Sequence, residues 1–208
     1  MITSFDQLDL SKRYTYADYL TWQFQERVEL LRGLVRKMSP APTDTHQRII
    51  LNLSFLFKGF LKGKKCQARP APYDVRLIIA KDTPMSSKRR KTAKSVSDEE
   101  IQTVVQPDLS VICDPSKIDR RGCLGSPDLV IEILSEGNNQ DDTVEKFAIY
   151  ESAGIPEYWM IHPYEQTVII YILDNEGKYI GSKPYVPSTQ LTSEVLPGLV
   201  IDVEEIFE

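Results

Sequence analysis

Two stretches of this chain follow one plan: "QPDLSVIC" over 106–113 and "PDLVIEIL" over 127–134. Each opens with Pro-Asp-Leu and continues as a short β-branched run, the pattern of a strand buried on both faces. The second run carries a glutamate, Glu132, between Ile131 and Ile133. A carboxylate buried there without a partner costs several kcal/mol or takes up a proton. Alternation puts residues 128, 130, 132 and 134 on one face, and Asp108, Ser110 and Ile112 share a face on the earlier strand. If the two strands are neighbours in one sheet, Asp108 and Glu132 converge. Two converging carboxylates repel unless something positive lies between them, and a hard divalent cation such as Mg²⁺ meets that need with one or two carboxylates and several waters.

A lysine follows in reach. The polar loop "SEGNNQ" leads to a helix from about Asp141 to Ser152, ended by Gly154, on which Lys146 shares a face with Asp142 and Tyr150 at i−4 and i+4. A helix packed back across the sheet brings this ammonium toward the acids. Two acids, a metal and a lysine suit phosphodiester hydrolysis, the lysine orienting the attacking water or stabilising the transition state. Taken singly, each residue has a plainer use. An Asp after Pro caps a strand start, a strand Glu faces solvent or pairs with an arginine, and a helix lysine is ordinarily a solvated charge.

The remaining pattern predicts an α/β domain of α+β character with a mixed sheet, the whole of 1–208 forming one unit. Residues 15–22 read as a short helix, with Thr15 and Asp18 at capping-box spacing. "RVELLRGLVRKMS" reads as a hairpin turned at Arg32-Gly33. A long amphipathic helix is expected over about 44–62, with Asp44 and Gln47 at capping-box spacing and His46 in its first turn. "APYDVRLIIA" is a strand, expected to pair in a hairpin with "TVVQPDLSVIC" and so to neighbour Asp108. Residues 81–102 are expected as a long flexible hairpin loop carrying the basic cluster "SSKRRKTAK". His46 could contact phosphate or assist proton transfer, or simply cap the helix. Asp74 is expected to pair with Arg76, Gln106 to reach the same pocket as Asp108, and Tyr150 and Trp159 to pack.

Composition narrows the class. Apolar residues make up 41% and charged residues 26% of 208 positions, ordinary for a globular protein, and no apolar run is long enough to span a bilayer. The net charge of −5 argues against non-specific nucleic-acid binding but leaves room for a local basic surface. Three cysteines without C-x-x-C spacing, and a start lacking a signal-peptide pattern, lead us to expect a reducing, cytoplasmic setting and no zinc site.

In order along the chain, "YTYADYL", "RVELLRGLVRKMSPAP", "HQRII", "APYDVRL", "VVQPDLSVICD", "RGCLGSPDLVIEILS", "EKFAIYESAGIPEYWMIHP" and "VIIYIL" resemble the Uma-type putative restriction endonuclease family, a branch of the PD-(D/E)XK nuclease superfamily. The resemblance covers roughly residues 14–203. It implies a restriction-endonuclease-like core, a mixed central sheet flanked by helices. It implies a metal-dependent endonuclease hydrolysing DNA phosphodiesters, with Mg²⁺ or Mn²⁺ held by Asp108, Glu132 and Ile133. It also implies Lys146 acting on the attacking water, Glu29 as an early acid completing the site, and a homodimer for two-strand cleavage; His46, read from its own position, is a further candidate helper. The sequence departs from the superfamily in one respect: Leu134 stands where Glu-x-Lys expects the lysine. That departure keeps a second class open, a nucleic-acid- or partner-binding module with a relic site. A third is a structural protein whose acids pair with arginines such as Arg76.

Overall fold

The computed structural model describes residues 2–38, 42–79, 96–134 and 140–208, without the side chains of 140 and 141. Most of the expected 81–102 loop, including "SSKRRKTAK", therefore lies outside the described residues. Its return limb does not: residues Asp98–Glu100 form a 3-10 turn and Ile101 is buried.

The strands are β1 (Val28–Leu31), β2 (Leu34–Lys37), β3 (Gln67–Pro70), β4 (Val75–Leu77), β5 (Thr103–Val105), β6 (Leu109–Ile112), β7 (Ile118–Asp119), β8 (Gly122–Leu124), β9 (Leu129–Ile133), β10 (Glu157–His162), β11 (Thr167–Leu173), β12 (Tyr179–Gly181), β13 (Gln190–Thr192) and β14 (Val200–Asp202). The helices are α1 (Tyr16–Tyr19), α2 (Asp44–Leu61), α3 (Gln140–Ala153) and α4 (Glu204–Phe207). The class is the expected mixed α+β, but among the described residues the strands form two six-stranded mixed sheets rather than one central sheet. Their orders are β2-β1-β5-β4-β8-β7 and β12-β11-β10-β9-β6-β3, with β13-β14 as a separate ribbon. In the second sheet β9 and β10 run parallel, joined through α3, while β6 runs antiparallel to β9.

Alternation along β9 sorts the core. Leu129, Ile131 and Ile133 face α2 and the C-terminal segment, joining Ile49, Leu53, Phe57 and Leu61. Val130 faces the other way, into a layer shared by α3 (Ile149, Tyr150) and the first sheet (Leu31, Val75, Leu77, Val105). A third cluster covers the outside of the first sheet with N-terminal residues such as Leu8, Tyr14 and Tyr16. The layers therefore run α2, second sheet, α3 with first sheet, N-terminal segment.

Local chemistry sets the boundaries. Arg32 and Gly33 have φ of 51° and 87°, the pair of positive values that lets a two-residue turn follow the twist of β1 and β2. The Thr15–Asp18 capping box forms as expected. The cap of α2 is Thr43 rather than Asp44, its hydroxyl accepting from the His46 N–H. Asp74 immediately precedes β4, which pairs with β5 as expected, and the segment leading into β4 borders Asp108, whose carbonyl accepts the Ala71 N–H at 3.0 Å. Cys66 and Cys113 are joined in a disulfide and Cys123 is free and buried, which departs from the expectation of three reduced cysteines. Among the described residues no helix is long and apolar enough to cross a membrane.

Candidate active site

The β6–β9 register puts Leu109 opposite Ile131 and Ser110 opposite Val130. One step further sets Asp108 opposite Glu132, on the same face because cross-strand partners share a side. A direct tie fixes the pair: Asp108 Oδ2 accepts the Ile133 N–H at 2.7 Å. The same register sets Pro107 opposite Ile133, and proline has no N–H to offer the Ile133 carbonyl.

Side chains from three further elements close around this pair. From the first turn of α2, His46 brings Nε2 to 3.1 Å from Asp108 Oδ1. From α3, Lys146 Nζ lies 3.4 Å from Glu132 Oε1, and the Tyr150 hydroxyl donates to the same oxygen at 2.5 Å. From β1 in the other sheet, Glu29 Oε2 sits 3.1 Å from Lys146 Nζ, while its Oε1 accepts the Gln106 N–H at 2.7 Å. The cleft thus lies between the sheets, with α3 along one side. Side-chain exposure rises from 4% at Glu29 through 10% at Lys146 and 12% at Glu132 to 18% at Asp108, so the opening is toward Asp108.

All five side chains singled out in the sequence lie at this cleft in two contact sets, His46 on Asp108 and Glu29–Lys146–Glu132, joined through the Ile133 N–H on Asp108. Three features were not anticipated. Tyr150 touches Glu132 as well as packing, and the Lys146–Tyr150 spacing of four on one helix face was the available signal. Glu29 touches Lys146 instead of the other acids. Gln106 is a bridge: its main chain holds Glu29, its Nε2 donates to Asp74 Oδ1 at 2.8 Å, and its Oε1 accepts from Arg27 Nε and Nη2 at 3.1 and 2.6 Å. Asp74 therefore bonds Gln106, whereas Arg76 pairs with Asp119 at 2.7 Å. Trp159 is core, as expected.

Electrostatics follow from three acids sharing one ammonium. Burial, with the charges of Asp108 and Glu29, holds the Glu132 carboxyl up at about 7 despite Lys146 and the Tyr150 bond. Burial pushes Lys146 down, but Glu132, Glu29 and Asp142 more than reverse this, so the ammonium is held well above its ordinary value. Burial likewise lowers His46, and its bond to Asp108 and the Asp108 and Glu132 charges outweigh that and raise it. Asp142 is raised, by burial first and then by Glu29 and Glu145 against Lys146.

Such a site favours an added cation. Its donors are hard carboxylate oxygens, matching Mg²⁺ or Mn²⁺ rather than a thiophilic metal. Among the described residues, no three or more His, Cys, Asp and Glu side chains form a metal-holding group. A zinc cage needs such a set, whereas Mg²⁺ is commonly held by one or two carboxylates and water. The His46 Nδ1 is buried without a partner among the described residues. The residues present fit a hard divalent ion held by Asp108, Glu132 and the main chain of Ile133.

Comparison with known proteins agrees with this architecture. A crystal structure from Anabaena variabilis, described as "a putative nuclease belonging to DUF820", superposes with a TM-score of 0.63 over 93% of this chain and 97% of its own. At 19% identity the likeness is one of fold. An uncharacterized protein of Synechocystis sp. is 22% identical over 166 residues, 78% of this chain and 76% of that protein. The Uma2 family model, described as "Putative restriction endonuclease", matches residues 16–204, and the chain belongs to that family.

Proposed function

We propose that this protein is a divalent-metal-dependent endonuclease that hydrolyses DNA phosphodiester bonds. The observation that carries the reading is the placement of Asp108 opposite Glu132, with Lys146 at 3.4 Å from Glu132 and His46 at 3.1 Å from Asp108. Membership of the Uma2 family supports the reaction class. Asp108, Glu132 and the main chain of Ile133 would hold Mg²⁺ or Mn²⁺. When bound, such an ion supplies positive charge to phosphoryl oxygens and acidifies water.

The chain's own groups divide the remaining work. Lys146, with Glu29 and Glu132 both on its ammonium, stays protonated near neutral pH. It acts as a donor that orients the attacking water and balances developing negative charge, never as a base. This ammonium, arriving from α3, takes the part that a lysine at position 134 would otherwise play. Glu29 sets where Lys146 points. His46, anchored to Asp108 through Nε2, holds that carboxylate from the α2 side. Two copies, each cutting one strand, would give a double-strand break.

The test separates catalysis from binding. Lys146→Met and Glu29→Gln are compared with the native chain for single-turnover cleavage in Mn²⁺ and for DNA affinity in Ca²⁺. The reading predicts a loss of at least about 100-fold in rate, the scale of one positioned charge, with affinity unchanged within about threefold. Equal rates in native and Lys146→Met protein would contradict the role given to Lys146. A native chain that binds DNA without cleaving it would favour the binding module with a relic site.

A further inference from the structure

We infer that Tyr150 is a positioning residue for the metal site: its hydroxyl fixes the Glu132 carboxylate so that Oε1 is turned to α3 and Oε2 is left for the ion. This deepens the nuclease reading and rests on it. Glu132 has two oxygens, and both described donors, the Tyr150 hydroxyl at 2.5 Å and the Lys146 ammonium at 3.4 Å, fall on Oε1. Of the two, Tyr150 makes the shorter contact and has fewer torsions to fix. A tyrosine hydroxyl is placed by two torsions, whereas a lysine ammonium hangs from a four-carbon stem. The Tyr150 ring is fully buried between Val130, Ile149 and Tyr158, meeting the Tyr158 ring edge-on with centroids 5.2 Å apart. The phenol therefore cannot swing away from β9, while the Lys146 ammonium is shared between Glu132 and Glu29.

The arrangement is stepwise along α3. Lys146 and Tyr150 are four apart and lie one turn from each other on the face turned to β9, so a single helix supplies both the shared ammonium and the fixed hydroxyl. Carboxylates that ligate metals are ordinarily held by such outer hydrogen bonds, and losing one weakens metal binding by roughly 10- to 100-fold. Asp108 has its own version of this support: the Ile133 N–H occupies Oδ2 at 2.7 Å, and His46 lies 3.1 Å from Oδ1.

Tyr150→Phe removes the hydroxyl and keeps the ring, so packing against Tyr158 survives. Mn²⁺ affinity is measured by titration calorimetry on the native chain, Tyr150→Phe and Glu132→Ala, with thermal unfolding of each in EDTA alongside. The inference predicts a Mn²⁺ Kd about 10-fold or more weaker in Tyr150→Phe, with metal-free folding retained and cleavage restored toward the native rate at saturating Mn²⁺. Native-like Mn²⁺ affinity in Tyr150→Phe would overturn it while leaving the nuclease reading intact. Failure of the native chain to bind Mn²⁺ any better than Glu132→Ala would overturn the nuclease reading and the inference with it. Should Tyr150→Phe not fold, a crystal structure of the native chain with Mn²⁺ decides. The hydroxyl on one Glu132 oxygen and the ion on the other supports the inference, and a hydroxyl turned away from Glu132 overturns it.

Discussion

Two glutamates on adjacent strands, Glu132 and Glu157, show how differently a buried carboxylate can be used. Glu157 is fully buried and takes four neutral donors: Trp159 Nε1 at 2.6 Å, the Ser193 hydroxyl at 3.1 Å, and the N–H groups of Glu194 and Val195 at 2.8 and 3.0 Å. It pins the C-terminal segment to β10 and is structural. Glu132 has two other acids and one ammonium about it, so its charge is under-compensated. The substitutions should therefore diverge. Glu157→Ala leaves four donors unanswered and should cost at least ~3 kcal/mol in urea unfolding. Glu132→Gln relieves repulsion and should leave metal-free stability within ~1 kcal/mol, yet abolish Mn²⁺ binding. At this scale the sequence was informative where residue type was unusual for its place, as with Glu132 in an apolar run. It was silent on Glu157, which sits at the start of its strand with no anomaly to mark it. It was ambiguous on Tyr150, because a helix aromatic packs in either case.

Among the elements, those with a strong period were legible and those without were not. Ile49, Leu53, Phe57 and Leu61 mark one face of α2, and all four are buried against the second sheet. Leu53→Ala should cost ~2–5 kcal/mol in denaturant unfolding, with substrate chemistry unaffected at temperatures where the variant is folded. The first sheet was legible in its two hairpins, β1–β2 and β4–β5, but β8, three residues long, pairs with β4 across a long separation that no local pattern declares. Asp74 was placed beside the right strand but given Arg76 as its partner, where the structure gives it Gln106. Gly122 joins these strands by close approach: at φ of +117° a Cβ there would lie 2.1 Å from the Asp74 carbonyl oxygen. Gly122→Ala should destabilise by more than ~1 kcal/mol, read as a lower urea midpoint. Across the same sheet, Arg76 from β4 pairs with Asp119 on β7. Burial raises the Asp119 carboxyl, but the Arg76 bond, the Arg121 N–H and the two arginine charges outweigh it and hold it below its ordinary value. A lowered folded-state value means stability that is present above the unfolded value of about 3.9 and lost as pH falls through the folded one. Unfolding midpoints measured from pH 5 to 2.5 should fall more steeply for the native chain than for Asp119→Asn.

For the whole molecule, the sheets act as two jaws, and the site exists only where they meet. Asp108 and Glu132 come from one sheet and Glu29 from the other, with Lys146 bridging Glu132 to Glu29. On the proposed reading a divalent ion held at the Asp108–Glu132 pair would stabilise the folded state by mass action. At Mn²⁺ near 100 times its Kd, the folded state should gain about 2.7 kcal/mol, seen as a raised Tm that is absent in Glu132→Ala. The measurement that tests the central claim most directly is cleavage of supercoiled plasmid in Mn²⁺ by the native chain, by Glu132→Ala, and by the native chain in EDTA. Nicked or linear product from the native chain alone is the predicted result. Cleavage that persists in Glu132→Ala would contradict the account, since it would place the chemistry away from the Asp108–Glu132 pair.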